Sequence, residues 1–195
     1  MNYIFLCHQS NVAPDRFYTK AHLTRVFNYR SRLDNAGKWK NIHRWLSGQE
    51  SFHSGDLFWF PDPDLLFDEK MPDQLFENAA LWELDLCQPA VTSDSVCSHP
   101  HLFSKPDTFE PRPAPFCEIM CPLFSYDALK RNLWTFDLNY SGFGIDLLWG
   151  TKEKCHVLDW LTVRHPSSPG YHNTAKAAGF PDPNRELEEV KRLYL

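Results

Sequence analysis

Two aspartates, Asp62 and Asp64, stand one residue apart directly after the apolar run at residues 57–60. In an extended chain, residues i and i+2 point to the same side, so the two carboxylates face one way and repel each other. A hard divalent cation between them removes this repulsion, and such an ion also binds the oxygens of phosphate groups. The pair therefore indicates a site for a divalent metal ion and for the phosphates that it carries.

The run before the aspartates is typical of a buried strand, because it is rich in aromatic residues and bounded by turn-forming residues. Pro61 and Pro63 lack the N–H that a strand ladder needs, so they end the strand. The aspartates then lie at the carboxyl end of a central strand, where ligands bind in open α/β sheets. The alternative is a plain turn, since aspartate and proline both favour turns. The strand before the pair and the partners later in the chain favour the metal site.

A second candidate is Asp146, the last residue of Gly142-Phe143-Gly144-Ile145-Asp146. The glycines permit a close approach of the backbone to a ligand, and the helix dipole favours a carboxylate in the first turn of the following helix. One interpretation makes Asp146 a general base that faces an acceptor hydroxyl. The alternative is an ordinary residue at the start of a helix, which is common.

Three more charged side chains belong to the candidate set. His165 follows the end of a strand and is a candidate metal ligand, although a single histidine before a proline is more often a loop or packing residue. Arg164 beside it is suited to pair with a phosphate or with one of the carboxylates. Glu118 lies within the apolar run at residues 116–123, so it must face a partner or a cleft, because a buried charge without a partner is unfavourable.

Hydrophobic spacing predicts alternating strands and helices, which is typical of an α/β domain with a mixed, mostly parallel sheet. Predicted strands lie at residues 2–7, 23–29, 57–60, 86–91, 116–124 and 155–159. Predicted helices lie at residues 37–46, 71–84, 125–133, 145–149 and 181–195, and a long loop occupies residues 92–115. We expect one domain at residues 1–180, with the amphipathic helix 181–195 packed on it.

Composition limits the classes of partner. The formal net charge is −5 and no block of basic residues is present, which argues against nucleic acid as a partner. No apolar run reaches the roughly 20 residues that span a bilayer. The first residues have neither the basic region nor the cleavage site of a signal peptide. We therefore expect a cytoplasmic protein without a transmembrane segment.

Five segments in order resemble a family of uncharacterised plant and bacterial proteins, which is itself similar to nucleotide-diphospho-sugar transferases of the GT-A fold. The resemblance covers roughly residues 37–172, and its order and spacing carry more weight than any single segment. The segments are Trp59-Phe60-Pro61-Asp62-Pro63-Asp64-Leu65, Cys87-Gln88-Pro89-Ala90, residues 118–125, Gly142-Phe143-Gly144-Ile145-Asp146 and Val163-Arg164-His165.

The resemblance implies a single GT-A-like (Rossmann-like) domain and assigns roles to the candidate residues. In GT-A enzymes an Asp-x-Asp pair binds Mn²⁺ or Mg²⁺, which holds the diphosphate of a nucleotide-sugar donor; Asp62 and Asp64 match it, with Asp64 as the direct ligand. His165 matches the histidine that completes the metal site, and Asp146 matches the catalytic base of inverting members. The expected contacts to the donor are Asp62, Arg164, Glu118 and Gly144.

Three functions follow from this assignment. The first is a metal-dependent glycosyltransferase that moves a sugar from a nucleotide-sugar to a hydroxyl of a glycan or another acceptor. The second is a metal-dependent hydrolase of phosphate esters, which would need a second metal ion and more histidine ligands. The third is a catalytically inactive GT-A-like binding module, which keeps the fold without affinity for the metal.

Overall fold

A seven-stranded sheet forms the centre of the molecule, in the order β2-β1-β3-β6-β4-β7-β5. The computed structural model describes the backbone of residues 3–9 and 23–28, and residues 37–62, 64–166 and 181–195 in full. The segment 13–22, whose mixed sequence is compatible with a helix or a long connection, lies outside the described residues. The strands are β1 (Tyr3–Gln9), β2 (Leu23–Asn28), β3 (Leu57–Trp59), β4 (Leu86–Val91), β5 (Arg112–Ala114), β6 (Leu123–Ser125) and β7 (Cys155–Val163).

Strand directions confirm the predicted α/β class with a mixed, mostly parallel sheet. Strands β1, β2, β3, β4 and β7 run in one direction, whereas β5 and β6 pair antiparallel with their neighbours. The carboxyl ends of β3, β4 and β7 therefore meet at one edge of the sheet, here called the carboxyl edge.

Helices cover both faces of the sheet, and the strand before the aspartates shows why. Leu57 and Trp59 face one apolar core, whereas Phe58 and Phe60 face the other, as the two-residue period of a strand requires. Because both faces are buried, the strand reads as a continuous apolar run. The helices are α1 (Lys38–Ser47), α2 (Met71–Leu81), α3 (Tyr126–Asn132), α4 (Ile145–Lys152) and α5 (Pro183–Tyr194).

Two predicted segments are corrected by the structure. The expected strand at residues 116–124 is a strand only at Leu123–Ser125, and residues 116–122 form an irregular segment, here called the crossing loop. Pro122 interrupts the ladder because it has no N–H. The expected loop at residues 92–115 contains a 3₁₀ turn at Pro100–Leu102 and the edge strand β5. Pro113 is tolerated in β5 because that strand lies at the edge of the sheet.

Helix α5 packs on the segment that precedes α4. Its Val190 is buried, and the Glu186 carboxylate accepts hydrogen bonds from the backbone N–H groups of Tyr140 and Ser141, at 2.9 and 2.8 Å. These contacts fix the glycine turn from which α4 and Asp146 follow. Within the described residues, no helix is both long enough and apolar enough to cross a membrane.

Candidate functional site

The chain beyond β3 stays extended along the crossing loop and carries the first aspartate to the carboxyl edge. The backbone N–H of Phe60 donates to the carbonyl of Pro122 at 3.0 Å, and the N–H of Asp62 donates to the carbonyl of Met120 at 2.7 Å. Since β3 lies between β1 and β6, Asp62 follows a central strand at its carboxyl end. The position expected from the sequence is therefore the one that the fold provides.

A lysine that the sequence analysis missed binds the first aspartate. Lys38 Nζ donates to Asp62 Oδ1 at 2.7 Å and to the carbonyls of Phe60 and Ile119 at 2.8 and 2.9 Å. Desolvation raises the pKa of Asp62, and the charge of Lys38 opposes this rise. One signal was present in the sequence: a cation in the first turn of a helix opposes the dipole, so Lys38 needed other partners.

The second aspartate faces a histidine from the end of β7. Asp64 Oδ2 lies 3.5 Å from His165 Nε2. His165 Nδ1 lies 2.8 Å from the carbonyl oxygen of Val96, and because a carbonyl only accepts, Nδ1 donates and Nε2 is directed to Asp64. The Asp64 carboxylate raises the pKa of His165 to about 9, and His165 in turn lowers the pKa of Asp64.

A backbone bridge between the residues that follow Asp64 and those that precede His165 holds these two side chains near each other. Leu66 and Arg164 exchange backbone hydrogen bonds of 2.9 and 2.7 Å, which join the segment after Asp64 to the end of β7. In the Arg164 side chain, Nε donates to Asp94 Oδ2 at 2.6 Å. Arg164 thus pairs with a carboxylate, although one from the loop after β4, and its contact with a phosphate stays a prediction.

Glu118, on the crossing loop, adds a third carboxylate at this edge. Its backbone N–H donates to the side-chain oxygen of Gln88 at 2.7 Å, and its Oε2 lies 3.8 Å from the Cys97 thiol. Burial, with the charges of Asp146 and Asp62, raises the pKa of Glu118 to about 7. The electrostatic influence of these two aspartates indicates that the Glu118 carboxylate lies near both of them.

Asp146 is the second residue of α4 and is only 7% exposed. Its Oδ1 accepts a hydrogen bond from the N–H of Leu147 at 2.9 Å. Burial raises the pKa of Asp146 to about 6, against the lowering effect of the N–H groups of Leu147 and Ile119. A carboxylate with this pKa can hold or release a proton near neutral pH, as a general base must.

Gly144, the residue before α4, is required by packing. It has φ +90°, and a Cβ at this position would lie 3.1 Å from atoms of Leu187 and Val190 in α5. The glycine therefore allows α5 to approach the start of α4. Its contact with a donor ligand remains a prediction.

The donor set at the carboxyl edge fits a divalent ion that is shared with a phosphate ligand. Among the residues described, no group of three or more His, Cys, Asp or Glu side chains forms a ready cage for a metal ion. Mg²⁺ in phosphate-handling sites usually takes only one or two carboxylates from the protein and the remaining ligands from phosphates and water. Asp64 and His165 offer such a partial set, and the Nδ1 hydrogen bond to a carbonyl is the usual support of a ligating histidine.

Comparisons with known proteins identify the fold. Neither a family model nor a curated protein sequence matches the chain. A197 from STIV matches with 11% identity and a TM-score of 0.51, over 86% of this chain and 87% of that one. S. aureus TarS 1-349 matches with 12% identity and a TM-score of 0.55, over 97% and 70%. The same fragment in complex with UDP-GlcNAc matches with 13% identity and a TM-score of 0.55, over 99% and 65%. At such identities the likeness shows the fold alone, and the chain has a GT-A-like α/β fold.

Proposed function

We propose that this protein is a glycosyltransferase that transfers a sugar from a nucleotide-diphospho-sugar to a hydroxyl group of a glycan or another acceptor. The observation that carries the proposal is the pair Asp64 and His165, 3.5 Å apart at the carboxyl edge of a GT-A-like fold. One fold neighbour, TarS 1-349, is known in complex with a nucleotide-sugar, UDP-GlcNAc. This supports the choice of donor class without naming the sugar for this chain.

Asp64 and His165 would hold Mn²⁺ or Mg²⁺ in this scheme. The bound ion would neutralise the charge that develops on the departing diphosphate. Glu118 on the crossing loop and Arg164, the residue after β7, both lie at the carboxyl edge; we assign both to contact the donor. A cluster of carboxylates of this kind binds a diphosphate only when cations offset the repulsion between like charges.

Asp146 would act on the acceptor. The acceptor oxygen forms a bond to the anomeric carbon, the bond from that carbon to the diphosphate breaks, and the diphosphate leaves with the electron pair. The acceptor hydroxyl gives its proton to the Asp146 carboxylate. The pKa of about 6 leaves this group charged at pH 7, yet basic enough to accept the proton.

Release of nucleoside diphosphate from a panel of nucleotide-sugars, with Mn²⁺ present, tests the proposal. We expect one donor class to be consumed by the wild-type protein, and Asp146→Asn to lower kcat by about 10²–10⁴-fold, the usual contribution of a general base. Glu188→Gln, on the exposed face of α5, is the matched control and should keep full activity. Turnover of simple phosphate esters with no turnover of any nucleotide-sugar would replace the transferase by the hydrolase.

A further inference from the structure

The Lys38 ammonium group has no hydrogen-bond donor left for a ligand. An ammonium group carries three N–H donors, and Lys38 Nζ has three acceptors within 2.9 Å: the carbonyls of Phe60 and Ile119 and the Asp62 carboxylate. Its side chain is only 12% exposed, and Nζ also lies 4.7 Å from the centre of the Trp39 ring. Lys38 is therefore part of the wall of the site and is not placed to grip a phosphate.

The position of Lys38 explains why these three acceptors are needed. Lys38 is the first residue of α1, whose first turn contains no acidic residue. A cation there is repelled by the positive end of the helix dipole. The carboxylate and the two carbonyls compensate for that repulsion, so the ammonium group is held in one place.

The three acceptors come from two segments that backbone hydrogen bonds also join. Phe60 and Asp62 belong to the chain after β3, whereas Ile119 belongs to the crossing loop and is the neighbour of Glu118. The N–H of Ile119 also lowers the pKa of Asp146, which places that group beside the carboxylate. Lys38 thus links Asp62 to the crossing loop, which carries Glu118 and whose Ile119 N–H lies beside Asp146.

We propose that Lys38 is a positioning residue that supplies the counter-charge of Asp62, and that this pairing is what leaves the metal to Asp64, the direct ligand that the resemblance implies. The part of this inference that concerns the metal rests on the proposed function. The two carboxylates then have different roles. Asp62 pairs with Lys38 and holds the neighbouring segments in place, whereas Asp64 binds the metal ion together with His165.

Binding of Mn²⁺ alone, followed by electron paramagnetic resonance, tests the division between the two aspartates. Asp64→Ala should weaken Mn²⁺ binding tenfold or more, because it removes a direct ligand. Asp62→Ala, the matched control two residues away, should change the affinity by less than threefold. Equal losses in both variants would overturn the proposal. Absence of Mn²⁺ binding by the wild-type protein would overturn the metal assignment, and the metal dependence of the proposed transferase with it.

Lys38→Met separates a positioning role from a merely structural one. Without the ammonium group, the Asp62 carboxylate becomes available beside Asp64, so Mn²⁺ binding should become several-fold tighter. Adding Asp62→Ala to Lys38→Met should return the affinity to the wild-type value. Unchanged or weaker binding in a folded Lys38→Met protein would contradict the inference.

Thermal unfolding gives a readout that needs no metal and stands if the proposed function fails. Lys38→Met should lower the melting temperature, because it leaves Asp62 without a counter-charge. The double variant with Asp62→Ala should recover part of that loss. Strictly additive losses would show that the two side chains are not coupled and would overturn the positioning role. If Lys38→Met does not fold, Lys38→Gln, which also removes the charge, replaces it in the same cycle.

Discussion

Glu118 and Asp146 are two neighbouring carboxyl groups whose pKa values are raised toward neutral pH. The pKa of Glu118 is raised to about 7 and that of Asp146 to about 6, in both cases chiefly by burial. The pKa values of ordinary carboxyl groups lie well below these two values. Because the charge of Asp146 contributes to the rise at Glu118, the protonation of one depends on the other.

Removing the charge of Asp146 should shift the titration of Glu118. We expect Asp146→Asn to lower the pKa of Glu118 from about 7 toward its ordinary range, since a negative neighbour is lost. NMR titration of ¹³C-labelled glutamate side chains measures this directly. Glu188→Gln, on the exposed side of α5, should leave the titration unchanged, and an unchanged Glu118 in Asp146→Asn would show that the two groups do not interact.

His165 should make stability depend on pH in the alkaline range. Its pKa in the folded protein is about 9, raised chiefly by its hydrogen bond to Asp64 from the ordinary value of 6.5. The folded state therefore binds the proton more tightly, so this contribution is complete below pH 6.5 and is lost as pH rises through 9. Urea unfolding in the presence of a chelator at pH 6 and pH 10 should show the loss.

His165→Asn is the variant that tests this assignment. It should be less stable than the wild-type protein at pH 6 and should show a smaller further loss between pH 6 and pH 10. Glu118 and Asp146 also have raised pKa values, and their contribution is lost as pH rises through about 7, so it adds to the loss above pH 6 equally in the wild-type protein and in the variant. An identical alkaline loss in the variant would assign the effect to another group.

Sequence reasoning located the charged residues at the carboxyl edge but missed the one that connects them. Asp62, Asp64 and His165 were found because each follows an apolar strand pattern, which fixes where the strand ends. Lys38 precedes its partner Asp62 by 24 residues. No periodic pattern links a helix start to a strand end, so only the packed structure shows the contact.

At the scale of elements, the crossing loop shows why pattern alone failed. An extended segment with buried apolar residues has the same sequence pattern whether it pairs as a strand of the sheet or only passes beside the end of another strand. Here the carbonyls of Met120 and Pro122 accept hydrogen bonds from the chain after β3. The crossing loop therefore holds the backbone of Asp62 in place, and only Leu123–Ser125 joins the sheet.

The packing of α5 on the start of α4 depends on Gly144. We expect Gly144→Ala to cost about 1–3 kcal/mol, because the added Cβ combines a left-handed backbone with close contacts to Leu187 and Val190 at 3.1 Å. Gly55→Ala is the matched control, since Gly55 has φ +97° but no atom within 4 Å of the added group. Urea unfolding should show a larger loss in the free energy of unfolding for Gly144→Ala than for Gly55→Ala. Equal losses would mean that α5 shifts away from the added Cβ at no measurable cost.

At the scale of the whole molecule, the class of fold was predictable and the strand order was not. Alternating strand and helix patterns led to the α/β class. The antiparallel strand β6, inserted between β3 and β4, follows from pairings between Leu57–Trp59 and Leu123–Ser125. Such long-range pairings leave no periodic trace in the sequence, so the insertion is visible only in the sheet.

The whole fold brings β3, β4 and β7 to one edge, and the central claim is that this edge binds a nucleoside diphosphate through a metal ion. Calorimetric titration with a panel of nucleoside diphosphates, with and without Mn²⁺, tests it most directly. The variants to compare are wild type, Asp64→Ala and the exposed control Glu77→Gln. We predict Mn²⁺-dependent binding of one nucleotide by wild type and Glu77→Gln, and loss of that binding in Asp64→Ala. No binding of any nucleotide by the folded wild-type protein, with or without Mn²⁺, would contradict the claim and favour a binding module or a hydrolase.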